Sequence, residues 1–206
     1  MTTEFQWIID NAESISIDRS PVVGQTITRN QTVRAVSRGA GIWKFTVSLP
    51  NGFKWSEMRQ YISQLEQVNR SVTTQIQINK AAHSYIIGYQ GNSANSTGFY
   101  ATSVVGNNYI TLTTSPTTSS GYKFRTGDVI QLGTNPTVYT VTSDVGYTSN
   151  TVYLNRPVET AGTNVNLKVG QNVVWTVICT QFPTWTIGDY NMVQWSGPFV
   201  FYENRV

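Results

Sequence analysis

The stretch from Tyr122 to Val158 constrains the fold more than any other part of the chain. It runs Tyr122-Lys123-Phe124-Arg125-Thr126-Gly127-Asp128-Val129-Ile130-Gln131-Leu132-Gly133, then Val138-Tyr139-Thr140-Val141, a Gly/Ser/Asn turn, and Val152-Tyr153-Leu154-Asn155-Arg156-Pro157. β-Branched and aromatic residues alternate with polar ones over three short segments separated by turn residues, which is the pattern of a small β module. Gly127-Asp128 falls where the chain reverses direction rather than where a metal would bind. The helix-bearing sequence before this module and the strand-rich sequence after it read as two halves of one other domain, so the module is expected to be an insertion. That layout suits a building block better than a catalyst.

The flanking sequence supplies the rest of a mainly β, α+β design. Residues 1–21 read as an extended N-terminal arm in which Trp7, Ile8 and Ile9 could dock on a neighbour and Ile15 and Ile17 alternate with polar residues. Two strands are expected at 26–36 and 42–49, joined by Ser37-Arg38-Gly39-Ala40-Gly41. In the second, Trp43, Phe45, Val47 and Leu49 share one face, which is therefore buried. After Pro50-Asn51-Gly52, the spacing of Trp55, Met58, Ile62, Leu65 and Val68 predicts one amphipathic helix over 54–69, lying on a sheet. Further strands are expected at 72–78 and 84–89. The polar run Gly91 to Gly98 reads as a boundary, followed by strands at 99–105, 109–113 and 165–169 that with the module make a small β-barrel or sandwich. A buried strand at 173–180, a break at Phe182-Pro183-Thr184-Trp185, and strands at 193–195 and 199–202 complete the chain. The expected organisation is an arm (1–21), a split β domain with one helix (22–90 plus 171–206) forming a ring-building core, and an inserted small β domain (91–170).

The 206-residue chain is long enough to bury a core without staples. Its single cysteine, Cys179, lies in an apolar run, so no intrachain disulfide and no cysteine-based zinc site can form, and a buried thiol is favoured over a nucleophile. No segment approaches the ~18 apolar residues that would span a bilayer, and the N-terminus has neither a basic flank nor an apolar signal core, so membrane insertion is not expected and folding in a cytoplasm is. Charged residues are only 12%, about half the usual ~25% of soluble domains. Large surfaces of such a protein can meet without stripping water from many ions, which suits permanent contacts; an ordinary β domain that happens to be low in charge is the plain alternative. The net charge of +3, read as evenly spread, gives no case for nucleic-acid recognition.

Candidate catalytic groups are few. His83 is the lone histidine, and a structural or surface role is favoured over general acid–base use. The eleven carboxylates are scattered; folding could still assemble a glycosidase pair, but nothing in their spacing points to one. No phosphate loop, nucleophile elbow or basic/aromatic stripe occurs. The expectation is no enzyme, no catalytic residues, no cofactor and no metal. Trp43, Trp55 and Trp175 fall on faces expected to be buried, whereas Trp7, Trp185 and Trp195 are freer and could be interface anchors. Arg29, Arg34 and Arg38 form the densest basic feature, either a solvated strand face or a set of partners for acids on an adjoining subunit.

The succession Arg34-Ala35-Val36-Ser37-Arg38-Gly39, then Trp43-Lys44-Phe45-Thr46-Val47-Ser48-Leu49-Pro50, then a Trp-initiated amphipathic helix, then the module with Phe124-Arg125-Thr126-Gly127-Asp128-Val129-Ile130-Gln131-Leu132, resembles tail and baseplate structural proteins of tailed bacteriophages, particularly marine myophages. In outline it is similar to distal tail proteins, although those are often longer. The resemblance implies a virion protein assembled in the host cytoplasm. It implies a symmetric ring of copies around the tail axis, taken as a hexamer, with an inserted β domain presented to tube, baseplate or fibre proteins. On that footing the contacts between copies are expected at Trp7, Ile8, Ile9, Arg29, Arg34, Arg38, Trp185 and Trp195. Two other functions stay open: a carbohydrate-binding adhesin or fibre module using Tyr147, Tyr153 and Trp185, and a wall-degrading tail hydrolase.

Overall fold

A computed structural model describes residues 5–19, 23–27, 29, 33–37, 41–68, 72–80, 82–92, 96–116 and 120–205. In chain order the first elements are α1 (Gln6–Asp10), β1 (Ser14–Asp18), β2 (Val23–Ile27), β3 (Val33–Ser37), β4 (Lys44–Ser48), β5 (Phe53–Lys54), α2 (Trp55–Val68) and β6 (Thr74–Ile76). Next come β7 (Tyr100–Ser103), β8 (Tyr109–Thr114), β9 (Tyr122–Phe124), β10 (Val129–Leu132), β11 (Val138–Thr140), β12 (Val145–Gly146), β13 (Thr151–Tyr153) and β14 (Gly162–Val169). The last are β15 (Trp175–Gln181), β16 (Trp185–Ile187), β17 (Met192–Trp195) and β18 (Phe199–Glu203). The protein is mainly β, with antiparallel, curled sheets.

The chain forms two compact units, residues 1–74 with 177–203 and residues 75–176 with 204–206. In the first, β1, β4, β18 and β15 lie side by side, all antiparallel. The alternation in β4 does what its sequence requires: Trp43, Phe45, Val47 and Leu49 are all buried, and Phe45 stands opposite Phe201 of β18. Phe5 meets Phe201 edge-on at 5.1 Å, while Cys179 is a buried free thiol of β15. A second layer of this unit is the three-stranded sheet β16-β17-β5, against whose Val193 the helix α2 buries Met58 and Ile62. Trp55 and Val68, at the ends of that helical stripe, are only half-buried.

Several expectations change here. The described part of the expected arm, residues 5–19, is not extended: residues 6–10 are helical, and β1 pairs in register with β4 from Ser14↔Ser48 to Asp18↔Lys44. Phe5, Ile8 and Ile9 are spaced i, i+3, i+4 and bury together, a helical period that the later Ile15/Ile17 alternation obscures. The single strand expected at 26–36 is instead the hairpin β2–β3, paired from Val23↔Ser37 to Ile27↔Val33; its turn contains no Gly or Pro to mark it. The strand expected at 84–89 is a 3₁₀ turn over Ser84–Ile87. Ser84 and Ile87 are buried while Tyr85 and Ile86 are exposed, the i, i+3 period of that helix rather than the alternation of a strand.

The second unit holds a six-stranded sheet in the order β11-β10-β14-β7-β8-β13. An isolated bridge between Val141, just after β11, and Leu154, just after β13, brings the two ends of this sheet together, so it curls around a core that includes Phe99, Leu112, Phe124, Tyr139, Val152 and Leu167. The limits of the unit differ from the expected 91–170. The polar run from Gly91 is tied inward, because Asn92 donates its backbone N–H to the Tyr122 carbonyl at 2.8 Å and its Oδ1 accepts from the Tyr122 N–H at 3.3 Å. A Cβ on Gly91 would lie 2.5 Å from the Lys123 carbonyl oxygen, so the close approach requires glycine. At the other limit, the Gln131 side chain accepts from the Val174 N–H and donates to the Val174 carbonyl, at 3.0 and 2.8 Å, holding residues past 170 to this unit.

The turn between β9 and β10 is built as its sequence suggests. Gly127 adopts φ +99° and donates to the Val141 carbonyl at 2.9 Å. Asp128 is buried and accepts from the backbone N–H of Arg125 at 2.7 Å and of Gln90 at 2.8 Å. Its carboxylate is thus a scaffold for two otherwise orphaned donors. Asp128→Ala would remove the acceptor of both part-buried bonds, and urea denaturation should show a loss of about 1–3 kcal/mol; a midpoint unchanged from wild type would show that water satisfies those groups instead.

Candidate functional site

The first unit carries a layer of half-buried aromatics. Trp7 of α1 stacks on Tyr61 of α2 with centroids 4.9 Å apart and meets Phe53 edge-on at 5.3 Å. Trp55, at the start of α2, stacks on Trp185 of β16 at 5.0 Å, and the Trp185 indole N–H donates to Glu66 at 3.2 Å. Trp195 lies edge-on to Phe199 at 5.1 Å and to Phe182 at 6.2 Å, with its indole nitrogen buried and without an acceptor among the described residues. These pairs result from α2 and the β16–β17 hairpin each placing an aromatic edge at the margin of the Met58–Ile62–Val193 core, where one ring face is dry and the other wet.

The expected contact residues separate into groups. Trp7, Trp185 and Trp195 are half-buried, so part of each ring faces solvent. Ile8 and Ile9 are buried inside their own unit and cannot dock on a neighbour, because the α1 turn points them at the same core as Phe5. Arg29 is exposed in the turn after β2. Arg34 is described only by its backbone in β3, and Arg38 lies outside the described residues. Trp43 and Trp175 are buried as expected. Trp55 is not a core residue but the stacking partner of Trp185.

In the second unit, β8 and β13 present an uncharged outer face. Tyr109 and Tyr153 are a cross-strand pair in register, with ring centroids 6.2 Å apart and both rings exposed. Thr111 and Thr151 pair beside them, and Thr113 donates to Asn164 at 2.7 Å. Tyr147 is exposed as well. This face can stack on a flat partner and exchange hydrogen bonds with it, without desolvating an ion. Tyr109 was legible only as a strand residue, since its pairing with Tyr153 is set by register across 43 intervening positions of sequence.

Charge chemistry in this unit centres on the 125–128 turn. Asp144 accepts from the Thr126 backbone N–H at 2.8 Å and the Thr126 hydroxyl at 3.1 Å, and pairs with Arg125 at 3.3 Å; the Thr126 backbone bond, foremost among these, holds its carboxyl below the usual carboxylate range. Asp128 is displaced the opposite way, burial outweighing its two backbone bonds. Lys123 is buried and donates to the Ser149 carbonyl and Asn150 side chain at 2.9 and 2.7 Å, and desolvation lowers its pKa. Among the described residues no three of His, Cys, Asp and Glu converge as a metal site would require, and no helix is long and apolar enough to cross a membrane. A carboxyl with a depressed folded pKa contributes stability that is present above its unfolded pKa and is lost as pH falls through the folded value. Asp144→Asn should therefore reduce stability at neutral pH and flatten the decline seen in thermal melts from pH 5 down to the acid limb, about pH 3; an unchanged acid profile would refute a role for this carboxylate.

No protein-family model and no curated protein matches this sequence.

Proposed function

We propose that the protein is a structural, non-catalytic subunit of a bacteriophage tail or baseplate, which assembles in the host cytoplasm as a ring of its own copies and offers its second unit to fibre or other baseplate proteins. The observation that carries this reading is the split organisation. Residues from both ends of the chain build one unit, and a second unit with its own core is inserted between them. Such a chain has one body for assembly and another for attachment, each stabilised by its own interior. The scarcity of charge, 12% of residues, and the half-exposed tryptophans supply surfaces that can be buried permanently at low desolvation cost.

A second reading rests on the Tyr109–Tyr153 pair. Two exposed rings beside paired threonines are suited to the apolar face and hydroxyls of a neutral sugar, which would make the second unit a glycan-reading module of the same particle. Purified protein should form discrete rings in negative-stain electron microscopy and be found in virions; a chain that stays monomeric at high concentration and is absent from particles would refute the structural reading. A neutral-glycan array that binds wild type but not Tyr153→Ala would favour the second.

A further inference from the structure

The tip of the β16–β17 hairpin is built at a conformational cost that its fold does not need. Tyr190 has φ 58° and ψ 25°, and Asn191 has φ 59°. Consecutive left-handed residues are the geometry of tight hairpin turns, where Asn, Asp and Gly are the favoured occupants. A bulky aromatic there is a genuine outlier, costly because its Cβ crowds the backbone. Its ring gains nothing in return within the chain, because Tyr190 is 90% exposed. Ile187, 46% exposed, and the exposed carboxylate of Asp189 belong to the same tip. The Asp189 carbonyl accepts from the Met192 N–H, but its carboxylate makes no hydrogen bond or ion pair with a described residue. An aromatic face, a carboxylate and an aliphatic side chain within four positions are the three contacts a guanidinium group takes: stacking, a charge-assisted hydrogen bond and packing along its stem.

The chain carries a matching group. Its cations are not evenly spread: residues 19–56 contain Arg19, Arg29, Arg34, Arg38, Lys44 and Lys54 and no Asp or Glu. Arg29 stands exposed in the turn of the β2–β3 ribbon, which is a two-stranded sheet of its own, and it too pairs with no described residue. We infer that the Ile187–Asp189–Tyr190 tip of one copy receives Arg29 of a second copy, a head-to-tail contact joining two different surfaces of the same chain. Contacts of this kind propagate, closing into rings when the rotation permits. The inference rests on the self-assembly proposed above, and it explains why a strained tyrosine occupies this turn.

The test uses the full chain and measures particle mass by light scattering over a range of concentration and salt. Asp189→Lys and Arg29→Glu should each weaken self-association by roughly tenfold or more, and the two together should restore it. Tyr190→Gly should weaken association likewise while raising the melting temperature by a few degrees through relief of the turn. If wild type assembles and all three single variants assemble equally well, the contact is refuted while the ring reading survives. If the single variants weaken assembly but the charge swap does not restore it, the tip binds another part of the neighbour and the assignment of Arg29 fails. If wild type is monomeric throughout, both readings fail together.

Discussion

The antiparallel register of β4 against β18 is the contact on which the first unit depends. Phe45 faces Phe201 and Val47 faces Phe199 across it. The ladder is fastened at one end, where Glu203 donates its backbone N–H to the Trp43 carbonyl at 2.8 Å and its carboxylate accepts from the Trp43 N–H at 3.3 Å, a contact between positions 160 residues apart. Shifting either strand by one residue would turn this whole aromatic and β-branched set to the opposite face. The burial of Phe5, Ile8 and Ile9 then follows, because β1 and α1 can cover only a sheet whose inner face is already fixed.

That constraint explains how the chain tolerates so large an insertion. Loop-closure entropy grows only with the logarithm of loop length, so each doubling adds about 0.6 kcal/mol to the cost of bringing β4 and β18 together. An insert that remained unfolded would still expose apolar segments to water, and the second unit avoids this by closing its own interior around Phe99, Phe124 and Tyr139. The Val141–Leu154 bridge matters here: by joining the ends of the curled sheet it leaves little unpaired edge. Asp128 does comparable service at the β9–β10 turn, where a buried carboxylate accepts from the backbone N–H groups of Arg125 and Gln90.

What could be read from the sequence follows from how local each signal is. The face of Trp43, Phe45, Val47 and Leu49 and the stripe of Met58, Ile62 and Leu65 were legible because a single period spans each element. The turn at Gly127-Asp128 was legible because both residues have strong conformational preferences. By contrast, the Ser84–Ile87 turn shares its residue types with a short strand, and only its burial period distinguishes the two. The β2–β3 hairpin was hidden by a turn without glycine or proline. The roles of Trp55 and Trp185 depend on one helix meeting one hairpin, a matter of tertiary packing, and Tyr190 is in a conformation its residue type argues against. The features hardest to read are thus those where side-chain identity and local backbone disagree, or where distant strands set the register.

Two sheet edges of the first unit, β1 of one sheet and β16 of another, differ in the same physical terms. β1, at one edge, is flanked by Glu13 and ends in Asp18, charges that discourage another strand from adding to it. β16, at the edge of the three-stranded sheet, is Trp185-Thr186-Ile187, without a charge, and it leads directly into the Asp189–Tyr190 tip. A monomer would gain by guarding both edges equally, since an unguarded apolar edge invites indiscriminate pairing. Here one edge is guarded and the other ends in a strained aromatic beside an exposed carboxylate, which on the proposed contact would favour a partner bearing a complementary cation. If copies assemble as proposed, low overall charge makes close contact inexpensive, and a few charges placed at hairpin tips would decide which contact forms.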